Sequence, residues 1–124
     1  MGYMREQAWA TENYLSRESN WNKTGGFVSG QRCIIFASHH CAPGDGMSAY
    51  RYVRLVKRIL AANNAPRSIP VFNDHKMTTH RVVMKVLTEA TRLARWPALI
   101  RWAIPVRTLD LPRYPVADIH KDWP

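Results

Sequence analysis

Apolar residues fall into four groups along the chain, and their spacing alternates between strand-like and helical. Residues 32–38 form a short, unbroken, β-rich run, as expected of a strand that is covered on both faces. After a Gly/Pro turn, helical spacing runs from 48 to 62. A second β-rich run covers 68–72, and a second helical stripe covers 79–94. This order predicts two parallel strands joined by a crossover helix, and therefore an α/β fold.

Both predicted helices carry a basic side opposite their apolar face. The first has Ser48 as its N-cap, ends at Asn63-Asn64, and contains four cations and no acid. Four like charges on one helix destabilise it unless an anion offsets them, so we expect contact with the RNA backbone or with an acidic protein neighbour. The candidate RNA-binding residues on the two helices are Arg51, Arg54, Lys57, Arg58, Arg81, Lys85 and Arg92.

The two ends of the chain show less regular patterning. Residues 1–25 are polar with isolated aromatic residues, which predicts an extended N-terminal arm that docks on another molecule, although a short helix near Glu6–Leu15 is compatible with the pattern. Residues 98–104 fit either a third strand or a helical continuation. The tail 105–124 contains four prolines, so we predict an extended segment fixed by apolar anchors: Leu109, Leu111, Tyr114, Ile119 and Trp123. The predicted domain therefore covers 26–104.

Composition limits the function classes. The chain has 124 residues, a formal net charge of +9 and two cysteines, which predicts one domain, an anionic or acidic partner and a reducing compartment. No apolar run approaches the roughly 20 residues that span a bilayer. No Ser/His/Asp arrangement or pair of carboxylates on one helix face stands out. We therefore predict no enzymatic activity and no cofactor.

Several short segments resemble the thioredoxin-like family that is shared by a mitochondrial large-subunit ribosomal protein, a mitochondrial small-subunit ribosomal protein and a small accessory subunit of respiratory complex I. The large-subunit member is the nearest in spacing. The resemblance covers about half the chain, and the segments that carry it are Gly26-Phe27-Val28, Cys33-Ile34-Ile35-Phe36, Gly44-Asp45-Gly46-Met47, Ile69-Pro70-Val71-Phe72-Asn73 and His80-Arg81-Val82-Val83.

The resemblance implies a thioredoxin-like β-α-β-α core and a non-catalytic structural role in the mitochondrial large ribosomal subunit. The implied partners are ribosomal RNA and neighbouring ribosomal proteins, in the mitochondrial matrix. A complex I accessory subunit from the same family is the alternative, and it would contact protein rather than RNA. Asp45 departs from the family turn, the helix after it lacks the usual acidic residues, and no clear C-terminal helix completes the fold.

Three further groups of residues suggest chemistry and are disfavoured. Cys41 lies where redox relatives carry a Cys-x-x-Cys, but Gly44 occupies the resolving position, so only a monothiol mechanism would remain. Gly44-Asp45-Gly46 could hold a phosphate but lacks the rest of a nucleotide-binding motif. A metal site would need four converging ligands, which the spacing of the candidates does not favour: His39, His40, Cys41, His75 and His80.

Overall fold

Helices dominate the part of the chain that the computed structural model describes, namely residues 3–23, 27–28, 31–43 and 47–120. The strands β1 and β2 have two residues each and pair antiparallel, with Phe27 opposite Arg32. In chain order the elements are α1 (Tyr3–Leu15), a 3-10 turn (Glu18–Asn20), β1 (Phe27–Val28), β2 (Gln31–Arg32), α2 (Ile34–His40), α3 (Met47–Ala62), α4 (Ile69–Asp74), α5 (His80–Ala94), α6 (Ala98–Arg101) and α7 (Val116–Ile119).

The core lies between α1, α3 and α5, which pack on one another, while α2 and α4 close its remaining side. α2 contacts α1, α3 and α4, so it links the first half of the chain to the second. The largest fully buried side chains come from five helices: Leu15, Ile34, Tyr52, Leu55, Ile59, Leu60, Ile69, Phe72, Leu87 and Leu93. The described elements therefore form a helical bundle.

The predicted thioredoxin-like α/β fold is wrong. Residues 32–38 lie mostly in α2 and residues 68–72 mostly in α4, so the predicted parallel strand pair is not formed. In α2, Ile34, Ala37 and Ser38 are buried at helical spacing, whereas Phe36 is half exposed. A short apolar run does not by itself distinguish a buried strand from a buried helical turn, and here tertiary packing selected the helix.

α4 begins with a capped helix N-terminus in the segment for which the second strand was predicted. The Ser68 hydroxyl accepts a hydrogen bond from the Val71 N–H, and Pro70 lies in the first turn, where its missing N–H costs nothing. Pro70 therefore marks the start of a helix and does not lie in a strand.

Residues 3–15 do not form an extended arm but α1, a helix of the core, in agreement with the alternative of a short helix near Glu6–Leu15. Its buried face contains two polar residues, Gln7 and Thr11, which interrupt the amphipathic pattern of the sequence. The Gln7 side-chain amide donates to the Thr11 hydroxyl at 2.8 Å and to the Ser38 carbonyl at 2.7 Å, and it accepts from the Ser48 hydroxyl at 2.9 Å. These buried hydrogen bonds tie α1 to α2 and α3.

The two long helices are confirmed. α3 ends in a Schellman motif: Asn64 adopts a left-handed conformation with φ of 55°, and the Ala65 N–H donates to the Leu60 carbonyl at 3.0 Å. The α5 N-cap is Thr79, whose hydroxyl accepts from the Val82 N–H at 3.3 Å. The predicted N-cap of α3 is wrong, because Ser48 lies inside the helix and its hydroxyl donates to the Gln7 side chain. The strong helical period, the Asn63-Asn64 stop and the Thr79 cap explain why the two helices themselves were predicted correctly.

Residues 104–119 cross the outside of α3 and α5 as a largely extended tail, in which only the short α7 is helical. The Tyr114 side chain is buried against Phe72, and its hydroxyl shares a hydrogen bond with Thr78 at 2.7 Å. The predicted anchors Leu109, Leu111, Tyr114 and Ile119 pack on the core, and Trp123 lies outside the described residues. In the segment whose structure the sequence left open, residues 98–101 form the helical turn α6.

Candidate anion-binding site

A row of cations lies on the outer side of α3, and we name it the α3 cation face: Arg51, Arg54 and Lys57. All three side chains are exposed, while the opposite side of the helix is buried in the core. None of the three forms an ion pair with an acid in the described residues. This surface is therefore free to receive a negatively charged ligand.

Arg54 and Lys57 border a shallow depression of about 400 Å³, whose other charged lining residues are Arg58 and Arg67. Trp102 forms its aromatic wall. The depression thus combines four cations with one indole ring and no carboxylate. Such a lining suits phosphate groups, with the indole available to a flat or apolar part of the ligand.

Arg58 is one of the predicted RNA-binding residues, but its hydrogen bonds stabilise the fold. Its guanidinium donates hydrogen bonds to the carbonyls of Arg101 and Trp102, at 3.2 Å each, and of Ile104 at 2.6 Å. The guanidinium carbon also lies 5.2 Å from the centroid of the Trp102 ring. Arg58 therefore fixes the indole beside the depression, and most of its own donors are already used.

The α5 candidates do not join the α3 cation face. Lys85 donates to the Asp110 carbonyl at 2.8 Å, and Arg92 donates to the Pro105 carbonyl at 3.0 Å and to the Glu89 carboxylate. Arg81 is exposed near the beginning of α5. Lys85 and Arg92 therefore hold the tail in place.

Arg101, at the end of α6, adds a buried positive charge behind this surface. Its side chain donates to the Trp96 carbonyl at 2.9 Å, and its Nε has no hydrogen-bond partner among the residues that the structure describes. Burial lowers the pKa of the Arg101 guanidinium, and the charge of nearby Arg51 lowers it further. An anion bound beside Arg51 would relieve this repulsion.

Arg67 belongs to the depression although no pattern in the sequence indicated it. Arg67 follows the turn after α3, and the reversal of the chain brings it to the depression that Arg54 and Lys57 also line. The usable signal was the Asn63-Asn64-Ala65-Pro66 stop, which reverses the chain after α3.

The histidines that a metal site would require are separated by the fold. His75 pairs with Asp118 at 2.9 Å, and a His80 ring nitrogen lies 2.6 Å from the Leu15 carbonyl. His39 packs against Tyr50, and His40 packs against Tyr14. Across residues 3–23, 27–28, 31–43 and 47–120, no group of three or more His, Cys, Asp or Glu side chains could hold a metal ion. Gly44-Asp45-Gly46, which was considered as a phosphate cradle and disfavoured, lies outside the described residues.

Cys41 follows α2 and is half buried. Burial raises the pKa of its thiol, and this outweighs the Thr11 hydrogen bond and the Arg32 charge, which lower the pKa. Since the thiolate is the nucleophile in redox chemistry, a raised pKa disfavours the monothiol mechanism.

We expect the Cys41 thiol to react several-fold more slowly than free cysteine with iodoacetamide at neutral pH, since less of it is thiolate. The measurement is the alkylation rate in a Cys33→Ser variant, which leaves a single thiol. Unfolding in urea should restore the rate of free cysteine. Alkylation of the folded protein that is faster than that of free cysteine would instead support a redox role for Cys41.

No helix within the described ranges combines the length and apolar character that crossing a membrane requires. The model of a protein family, described as a family of unknown function (DUF6197), matches residues 2–93. That range runs from α1 through α5 and includes the α3 cation face. No curated protein and no solved structure matches the chain.

Proposed function

The chain belongs to the DUF6197 family, and we propose that it is a non-catalytic protein that binds the phosphate backbone of RNA through the α3 cation face. One observation carries the proposal: Arg51, Arg54 and Lys57 are exposed together and lack acidic partners among the described residues. Basic side chains that are held apart on a rigid helix can contact successive phosphates without reading bases.

Two further features support an anionic partner. Arg67 extends the cations across the depression, and Trp102 adds a half-exposed indole on which a base can stack. Buried Arg101 lies close enough to Arg51 for its pKa to be lowered by that charge, so a bound phosphate would reduce an unfavourable interaction already present in the fold.

The mitochondrial large ribosomal subunit was predicted from the thioredoxin-like resemblance alone. The helical fold removes the α/β domain on which that resemblance depended. The RNA proposal therefore depends on the α3 cation face, while ribosomal RNA, neighbouring ribosomal proteins and the mitochondrial matrix remain predictions. Co-sedimentation with the large subunit that ribonuclease abolishes would support them, and co-purification with complex I after ribonuclease would favour the alternative.

Charge reversal on the α3 cation face tests the proposal. We expect the triple variant Arg51→Glu, Arg54→Glu, Lys57→Glu to bind a single-stranded RNA oligonucleotide about 100-fold more weakly than wild type at low salt. The plot of log K against log salt should become less steep, with its slope smaller in magnitude by about 2, because each of the three lost phosphate contacts contributes about 0.7. Fluorescence anisotropy over a salt series measures both values. Circular dichroism should be unchanged, since the three side chains are exposed.

The matched control reverses three exposed arginines elsewhere: Arg5→Glu, Arg17→Glu and Arg113→Glu. It changes the net charge by the same amount and should retain most of the affinity. An equal loss in the control would mean that only total charge matters. Failure of the wild-type protein to bind RNA at low salt would refute the proposed function.

A further inference from the structure

Four large apolar side chains project from the segment that follows α5, and we name this segment the apolar turn: Trp96, Leu99, Ile100 and Trp102. Leu99 is 98% exposed, and the other three are 43–49% exposed. Single exposed apolar residues are ordinary, but four within seven positions form a patch of the kind that marks an interaction site. In the described structure no other segment of this length exposes so many large apolar side chains.

The backbone of the apolar turn is held rigidly. The Ile100 and Arg101 N–H groups donate to the Pro97 carbonyl at 3.1 and 2.9 Å, which forms the single turn α6. Buried Arg101 binds the Trp96 carbonyl at one end of the turn, and Arg58 binds the Trp102 carbonyl at the other. These contacts hold the backbone in a shape that keeps Leu99 outward, so the turn presents its apolar surface before any partner arrives.

The residues around the apolar turn are basic. Arg95 precedes Trp96 and is exposed, and Trp102 shares its depression with Arg54, Lys57 and Arg67. Leu99 and Ile100 lie between two tryptophans in the sequence, and cations lie beside them. This order of side chains corresponds to the acyl, interfacial and headgroup regions of an anionic bilayer. Leucine and isoleucine favour the acyl region, indole rings favour the interface, and cations favour the headgroups.

We propose that the apolar turn inserts into the surface of a membrane that contains anionic lipids, with Leu99 deepest and Trp96 and Trp102 at the headgroup level. The charge pattern argues against a second copy of the chain as the occupant, because a symmetric contact would bring the same cations together. Insertion is separate from RNA binding. The cations beside Trp102 can bind any polyanion, whereas the Leu99 side chain is stabilised only in an apolar environment.

Co-flotation with vesicles tests the insertion. Wild-type protein should bind vesicles of phosphatidylcholine with phosphatidylglycerol, and bind phosphatidylcholine alone much more weakly. The variant Leu99→Ser, Ile100→Ser should bind the anionic vesicles at least about tenfold more weakly, since two buried aliphatic side chains are lost. The single variant Leu99→Ser should show a smaller loss in the same direction and, because that side chain is almost fully exposed, should fold normally.

Val116→Ser is the matched control, because Val116 is 70% exposed on α7 outside the apolar turn. It should bind vesicles like wild type. RNA affinity should be unchanged in Leu99→Ser, so loss of RNA binding and loss of insertion are distinguishable. Three outcomes would overturn the proposal: no binding to anionic vesicles, equal binding by Leu99→Ser and wild type, or a concentration-dependent dimer in solution that Leu99→Ser abolishes.

Discussion

Replacing Asn73 with alanine should lower the free energy of unfolding by about 3–5 kcal/mol, because three buried polar groups would lose their partner. Asn73 is fully buried at the end of α4. Its side-chain oxygen accepts from the Trp21 Nε1–H at 2.9 Å and from the Ile34 N–H at 3.1 Å. Its amide nitrogen donates to the Asn22 carbonyl at 2.9 Å. One side chain thus caps α2 and fixes the segment before β1.

Urea unfolding followed by circular dichroism would measure the effect. Asn13→Ala, at an exposed position of α1, is the control and should match wild type. Because Trp21 and Asn73 share a hydrogen bond, the variants Trp21→Phe and Asn73→Ala should be non-additive when they are combined. A loss below about 1 kcal/mol for Asn73→Ala would mean that water replaces these bonds and that Asn73 does not organise the bundle.

Replacing Glu89 with glutamine should cost about 2–3 kcal/mol, because hydrogen bonds to a buried ionised group are stronger than neutral ones. Glu89 is 3% exposed on α5. Its carboxylate accepts from the Arg92 guanidinium at 2.8 and 2.6 Å and from the Arg107 N–H at 2.8 Å. The variant would weaken the attachment of the tail to α5. Asp110→Asn is the control, since that carboxylate is fully exposed in its ion pair with Lys85.

The same residue gives a pH dependence. Burial raises the pKa of Glu89, but the hydrogen bonds from Arg92 and the Arg107 N–H, together with the two arginine charges, lower it overall. A carboxyl whose pKa is lowered by folding adds stability above its unfolded pKa and loses it as the pH falls below that value, here 4.5. Wild type and Glu89→Gln should therefore differ most near neutral pH and converge in acid. A constant difference down to about pH 3 would place the effect in packing and not in ionisation.

The sequence alone correctly predicted the elements that have a long helical period. α3 and α5 have such a period and were found almost to the residue. For α1 the sequence indicated a short helix only as an alternative to an extended arm, because Gln7 and Thr11 occupy its buried face and their burial depends on partners from α2 and α3. α2 and α4 are short apolar segments whose state is decided by packing, although Ser68 and Pro70 marked the α4 start.

The candidate site also contains residues whose role the sequence could predict and residues whose role it could not. The exposure of Arg51, Arg54 and Lys57 follows from their position opposite the apolar face of α3. Arg58, Lys85 and Arg92 each donate to a backbone carbonyl of an irregular segment, and no periodicity in the sequence locates such a segment. Arg67 reaches the site only through the reversal of the chain after α3. Sequence patterning therefore gives the side of a helix, while long-range contacts decide which cations remain available.

The family match ends at residue 93, but residues 104–119 cover part of the surface of the matched region. Tyr114 covers Phe72, and Asn63 receives the Leu109 N–H and donates to the Arg107 carbonyl. A protein shortened to the matched region would expose apolar surface on α4 and leave Glu89 and Asn63 without their tail contacts. Recombinant production of the matched region by itself should therefore yield an aggregation-prone product.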